Sequence, residues 1–240
     1  MLRKRSRLIA APLAAVALSL TIAGYQATAA EPAGPAQKAA APCLADATTL
    51  VGDLDGDGNP DKISDVGLSG TRGTIQWGNE DGSFGEKQYV SKLVGAKAGE
   101  GTTAQFADFD KDGTLDMVVN VVKRSEGDDP NTARIAEYRP GPVSRDDLSS
   151  PDARHTDIGD MGEAKELRIA NYGDDEYPDV AVLNNSGDGN LDRSVRVTEP
   201  GKGIGDWNRE HDEKYGETGT TPEPPKMPTD GWSHFYERCS

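Results

Sequence analysis

Two nine-residue runs constrain this chain more than any other feature: Asp53-Leu54-Asp55-Gly56-Asp57-Gly58-Asn59-Pro60-Asp61 and Asp108-Phe109-Asp110-Lys111-Asp112-Gly113-Thr114-Leu115-Asp116. Both read D-x-D-x-D-G-x-x-D. Four carboxylates in so short a stretch repel one another, so the chain must turn them toward solvent or gather them around a positive charge. Side-chain oxygens at positions 1, 3, 5 and 9 make a cage for a hard divalent cation, and Ca²⁺ accepts six to eight oxygens at loose geometry. The Gly at position 6 allows a sharp turn. Ordinary turns also collect Asp, Asn and Gly, but two full copies in equivalent settings mark a repeat.

The helix-loop-helix alternative fails on count. Its twelve-residue loop ends on a bidentate acid, whereas position 12 is Ser64 in the first run and Val119 in the second. The flanks, Lys62-Ile63-Ser64-Asp65-Val66 and Met117-Val118-Val119-Asn120-Val121-Val122, are partly β-branched and read as strands. A dockerin module is disfavoured on the same grounds. A strand, this loop and an apolar strand resemble the FG-GAP/VCBS repeat of integrin α-subunit propellers and many secreted bacterial proteins. The segment Thr74-Ile75-Gln76-Trp77-Gly78-Asn79-Glu80-Asp81-Gly82-Ser83-Phe84-Gly85 is similar to the strand and turn that follow in that repeat. The resemblance implies Ca²⁺ held by Asp53, Asp55, Asp57 and Asp61 in the first loop. In the second loop it implies Asp108, Asp110, Asp112 and Asp116. The position-7 carbonyls of Asn59 and Thr114 complete the two ligand sets.

A third copy is degraded. Asn171, Asp175 and Asp179 keep the pattern, but Gly173 offers no side-chain ligand and Glu176 replaces the Gly. A further acidic run, Asn184 to Asp192, falls out of frame, and its Asp188-Gly189 pair predicts a hairpin turn. The coarse reading is all-β. Strands are predicted at 48–52, 62–67, 73–78 and 86–91, then at 102–107, 116–123, 133–139 and 155–158. The last group is 166–170, 179–184, 193–198 and 204–209. Four strands per unit make a blade, and the resemblance implies a small or partial β-propeller of about three to four blades. Propellers have about four to eight blades, so three units are short. Residues 205–240 with 43–50 are the candidate fourth unit. Gly216 to Asp230 reads as a Pro-rich loop, and Trp232 to Arg238 as a last strand.

Residues 1–30 read as a signal peptide. A basic start (Arg3, Lys4, Arg5, Arg7) leads into an Ala/Leu-rich stretch and a small-residue cleavage pattern at Ala27-Thr28-Ala29. Residues 31–42 read as an Ala/Pro linker, leaving 43–240 as the folded domain. No segment is expected to span a membrane after cleavage, and secretion is the expected fate. Cys43 and Cys239 bracket the domain, and in a secreted chain such a pair predicts a disulfide.

The net charge of −15 argues against nucleic acid as a partner. None of the three histidines sits in a triad or zinc spacing. The leading functional expectation is a secreted calcium-binding module for adhesion or interaction, with an extracellular protein or carbohydrate as ligand. A small secreted hydrolase acting on a glycan or ester is the alternative. It requires a deep pocket of converging polar groups and a carboxylate of raised pKa. A purely structural envelope protein is the third reading. Trp77 is expected to pack within a blade, while Trp207 and Trp232, with Tyr215 and Tyr236, are candidate stacking platforms.

Overall fold

The computed structural model describes residues 41–64, 69–123, 131–158 and 163–240. The signal peptide expected over 1–30 and linker residues 31–40 lie outside the described residues. So does the end of the strand expected at 62–67.

Each acidic loop is a tight connection between two antiparallel strands, and each pair grows into a sheet. The first sheet contains β1 (Cys43–Asp46), β2 (Thr49–Gly52), β3 (Asp61–Ser64), β4 (Thr74–Gln76) and β5 (Gln88–Tyr89), hydrogen-bonded in that order. A short helix, α1 (Val90–Leu93), follows. The second sheet runs β6 (Glu100–Ala107), β7 (Asp116–Lys123), β8 (Thr132–Arg139), β9 (Arg154–His155). The third contains β10 (Ala164–Ala170), β11 (Asp179–Gly187) and β12 (Asn190–Arg196). A two-stranded hairpin, β13 (Thr198–Glu199) with β14 (Gly203–Ile204), and α2 (Arg209–Tyr215) intervene before β15 (Glu217–Thr220) completes the third sheet beside β12. A final helix, α3 (Gly231–Phe235), precedes the C-terminus.

The registers place the three loops equivalently. Gly52 pairs with Asp61, Ala107 with Asp116 and Ala170 with Asp179, so each loop is closed by a strand pair whose second member is its position-9 Asp. The first strands of the second and third sheets pack together. Thr103 Oγ1 donates to the Ala164 carbonyl at 2.9 Å and Gln105 Nε2 to that of Leu167 at 2.7 Å. Residues 69–70 of the first sheet's β3–β4 connection join them, accepting from Ala104 N and Leu167 N. The core between these strands holds Leu50, Ile63, Ile75, Phe106, Met117, Val119, Leu167, Ile169, Val180 and Val182. Strand β7 is buried along both faces up to Val122, which is why its sequence is apolar without alternation except at buried Asn120, whose Nδ2 donates to the Ile135 carbonyl.

Several expectations are corrected. The segments 43–50 and 205–240 do not build a fourth blade. Instead β1 extends the first sheet, and β15 is the outer strand of the third. The outer strand expected at 204–209 therefore lies inside the stretch read as a loop, since Glu217–Thr220 finds free edge groups on β12. Trp232 to Arg238 begins as a helix because Gly231 presses against β10, where any Cβ would meet the Ile169 carbonyl oxygen at 1.9 Å. The Asp188-Gly189 turn is present, with both residues at positive φ (49° and 77°) between β11 and β12. Among the described residues, no helix is long and apolar enough to cross a membrane.

The chain ends meet. Leu44 N donates to the Glu237 carbonyl at 2.8 Å and Cys239 N to that of Leu44 at 2.9 Å, beside a Cys43–Cys239 disulfide spanning 196 residues. Closing so long a loop removes chain entropy worth at most about 5 kcal/mol from the unfolded state. Reduction, or the Cys43→Ser/Cys239→Ser pair, is expected to lower the urea midpoint substantially while circular dichroism still reports a β-rich fold. An unchanged midpoint would show that the backbone bonds alone secure the ends.

Candidate metal centre

Within the first loop, short-range hydrogen bonds set the geometry. Gly56 N and Gly58 N donate to Asp53, Asp57 N to Asp55 Oδ1 at 3.2 Å, and Asn59 N to Asp57 Oδ1 at 2.7 Å. The second loop repeats this. Gly113 N donates to Asp108, Asp112 N to Asp110 Oδ1 at 3.2 Å, and Thr114 N to Asp112 Oδ1 at 2.7 Å. Position 4 is left-handed in all three loops (Gly56, Lys111, Asp174), and position 6 is left-handed in the first two (Gly58 φ 86°, Gly113 φ 98°). Glu176 at position 6 of the third loop is not. A side chain resists that conformation, so the third loop cannot wrap in the same way.

The wrapping brings carboxylates together. Ligand oxygens of Asp53, Asp55 and Asp61 lie within 4.8 Å of one another, and so do those of Asp108, Asp110 and Asp116. Asp57 and Asp112 stand outside these triads and are tied to the loop through Asn59 N and Thr114 N. The third loop makes no such triad of acids among the described residues. Its Asp175 accepts from Tyr177 N, and Asn171 Nδ2 lies 2.6 Å from His234 Nε2 of α3.

The position-9 Asp has a second task that the motif does not reveal. Asp61 accepts from Leu54 N at 2.9 Å and Gly78 N at 2.8 Å. Asp116 accepts from Phe109 N at 2.9 Å, Gly141 N at 2.7 Å and the Tyr138 hydroxyl at 2.9 Å. Asp179 accepts from Tyr172 N at 2.7 Å, Gly173 N at 3.0 Å and Thr198 N at 2.8 Å. In every sheet this carboxylate clasps the loop's position-2 N–H to the backbone just beyond the strand that follows its own, β4, β8 or β12. All three are fully buried.

Desolvation by burial raises their pKa values: Asp61 and Asp116 to about 7, and Asp179 upward. Asp108 rises to about 6, through burial and then the charge of Asp112. Its Oδ1 is a buried acceptor without a hydrogen-bond partner. An all-oxygen donor set, an orphaned carboxylate oxygen and carboxylates raised by desolvation suit a hard divalent cation. A cavity of about 290 Å³ opens beside the second loop, bounded by Pro42, Asp108, Asp112, Phe235 and Tyr236. Among the described residues, the raised carboxylates that a hydrolase would need all belong to these loops.

The loops are neighbours. Leu115 N donates to the Asp53 carbonyl at 2.7 Å and Val143 N to that of Leu54 at 3.0 Å. Lys111 of the second loop pairs with Glu176 of the third at 3.4 Å. Residues 53–119, spanning both complete loops and the strands between them, match the family model described as FG-GAP-like repeat. The chain carries an FG-GAP-like repeat. No curated protein and no solved structure matches it. The third, degraded loop lies outside the matched FG-GAP-like residues.

Of the aromatic candidates, Trp77 is buried, and so is Trp232, whose Nε1 donates to the Phe106 carbonyl at 3.1 Å. Trp207 is 43% exposed. Sequence reasoning missed Tyr138, which donates to Asp116, and read Tyr236 as a stacking platform, whereas its hydroxyl accepts from Asp108 N. No local motif marks either one, because both contacts are made across the fold.

Two outcomes are expected. Asp179→Ala leaves three N–H groups without their acceptor, at about 1–3 kcal/mol for each that stays buried. The variant should lose several kcal/mol in urea denaturation, although its loop is the poorest cation cage. The second concerns pH in chelator. Asp61, Asp108 and Asp116 hold protons more tightly folded than unfolded, so stability is greatest at low pH within the window from about 4 to 7 and falls as pH rises through it. A urea midpoint that rises with pH across that window in chelator would contradict the assignment.

Proposed function

We propose that residues 43–240 form a secreted, calcium-stabilised interaction module, exported by a signal peptide at 1–30 and joined to it by the linker at 31–42. The observation that carries this reading is the pair of equivalent carboxylate triads, Asp53/Asp55/Asp61 and Asp108/Asp110/Asp116. Asp57, Asp112 and the carbonyls of Asn59 and Thr114 would complete the coordination, and Asn171, Asp175 and Asp179 would form a weaker third position. The bound ions would neutralise the loops and make them rigid. The disulfide supports an oxidising compartment, and the FG-GAP-like repeat supports an extracellular interaction role. An extracellular protein or carbohydrate is the proposed ligand class, and the exposed rings of Phe84, Tyr89 and Trp207 supply apolar contact area.

Calcium titration by calorimetry on the 43–240 chain tests the reading. Two binding events are expected, one lost in Asp55→Ala and the other in Asp110→Ala. Calcium at about a hundred times its dissociation constant should add about 2.7 kcal/mol per site to stability, and a chelator should remove it. A melting temperature indifferent to calcium and chelator would overturn the proposal.

A further inference from the structure

The two complete loops differ in a way their shared motif conceals. Arg145, on the segment after β8, pairs its Nε with Asp55 and its Nη2 with Asp57. Its guanidinium lies 5.5 Å from the centre of the Trp77 ring. The second loop has no such partner: among the described residues, no ion pair reaches Asp108, Asp110, Asp112 or Asp116. Its own Lys111 is turned away to Glu176 and the Tyr177 ring.

The backbone positions Arg145. Gly141 N is bonded to Asp116 of the second loop and Val143 N to the Leu54 carbonyl of the first. The segment is thus a strap that starts at one cage and delivers a guanidinium to the other. A planar guanidinium binds two carboxylates with strong directional bonds, and the short tether keeps it at high effective concentration. Asp55 belongs to the carboxylate triad, so one oxygen set faces two claimants.

We propose that Arg145 is a built-in counter-cation of the first loop. It neutralises Asp55 and Asp57 in the ion-free protein and must release Asp55 before a divalent cation is held there, so the second loop fills first. This rests on the cation-binding reading above. If the seated arginine leaves the first cage open for only a fraction of the time, its apparent affinity falls by that same fraction. Arg145 remains partly solvent-exposed, so unseating it does not require the fold to open.

Calorimetric calcium titrations of wild type, Asp110→Ala, Arg145→Gln and Arg145→Lys test this, with melts in chelator as a check on folding. Wild type is expected to show two unequal events, and Asp110→Ala to lose the tighter one. Arg145→Gln should tighten the weaker event about tenfold and leave the tighter one within about twofold. Arg145→Lys, which keeps the charge but loses the paired geometry, should fall between, and it carries the test alone if the Gln variant does not fold. Equal wild-type events would overturn the proposal. So would a weaker event unmoved by Arg145→Gln while the chelated melting temperature drops, since Arg145 would then be a structural staple only. Binding in no variant would overturn the cation reading as well, whereas normal binding indifferent to Arg145 would overturn this inference alone.

Discussion

The carboxylate at the end of each loop holds the architecture together. Asp61, Asp116 and Asp179 each reach into the interior, grip the N–H of the loop's second residue and grip a second N–H beyond the next strand of the same sheet. A buried N–H without an acceptor costs about 1–3 kcal/mol, and a tight turn exposes several. One carboxylate answers for two or three of them, and it anchors strands far apart in sequence to the turn that starts the sheet. The price is a charge without solvent, visible in the raised pKa values of all three acids.

That double duty explains the uneven decay of the third loop. Gly173 at position 3 and Glu176 at position 6 depart from the cage pattern, yet Asp179 keeps the same kind of bonds as its counterparts. The carboxylate clustering and the sheet closure are separable features that share one residue. Where the ligands have gone, packing takes over: Tyr172 stacks on Tyr215 with ring centres 5.0 Å apart, and Asn171 meets His234 of α3.

The local grammar was legible in the sequence. The loops, their flanking strands, the Asp188-Gly189 hairpin and the cysteine pair all depend on contacts near in sequence or on residue types with one dominant use. The outer strand of the third sheet was not legible, because Glu217–Thr220 carries no alternation and becomes a strand only by meeting the edge of β12. The terminal helix was hidden for a similar reason: its aromatic residues suit a strand, and the close approach of Gly231 to Ile169 is what decides. In the candidate metal centre, the position-9 acids were found for their oxygens while their structural bonds went unseen. Arg145 was invisible altogether, since its partners lie some ninety residues earlier.

The chain ends tie the first sheet to the loops of the other large sheets. The hydrogen bonds between Leu44 and residues 237–239 place the C-terminal strip against β1, and β1 in turn borders β2, whose last residue leads into the first acidic loop. Tyr236 reaches from the same strip to Asp108 N, at the head of the second loop, and His234 touches the third. The C-terminal dozen residues therefore contact the first sheet and two of the three loops, and the disulfide prevents their release. An ion held in a loop, as proposed, and a covalent bond that pins the tail would act on one contiguous set of contacts. Their contributions to stability should accordingly be non-additive, because residues that share partners couple while distant ones do not.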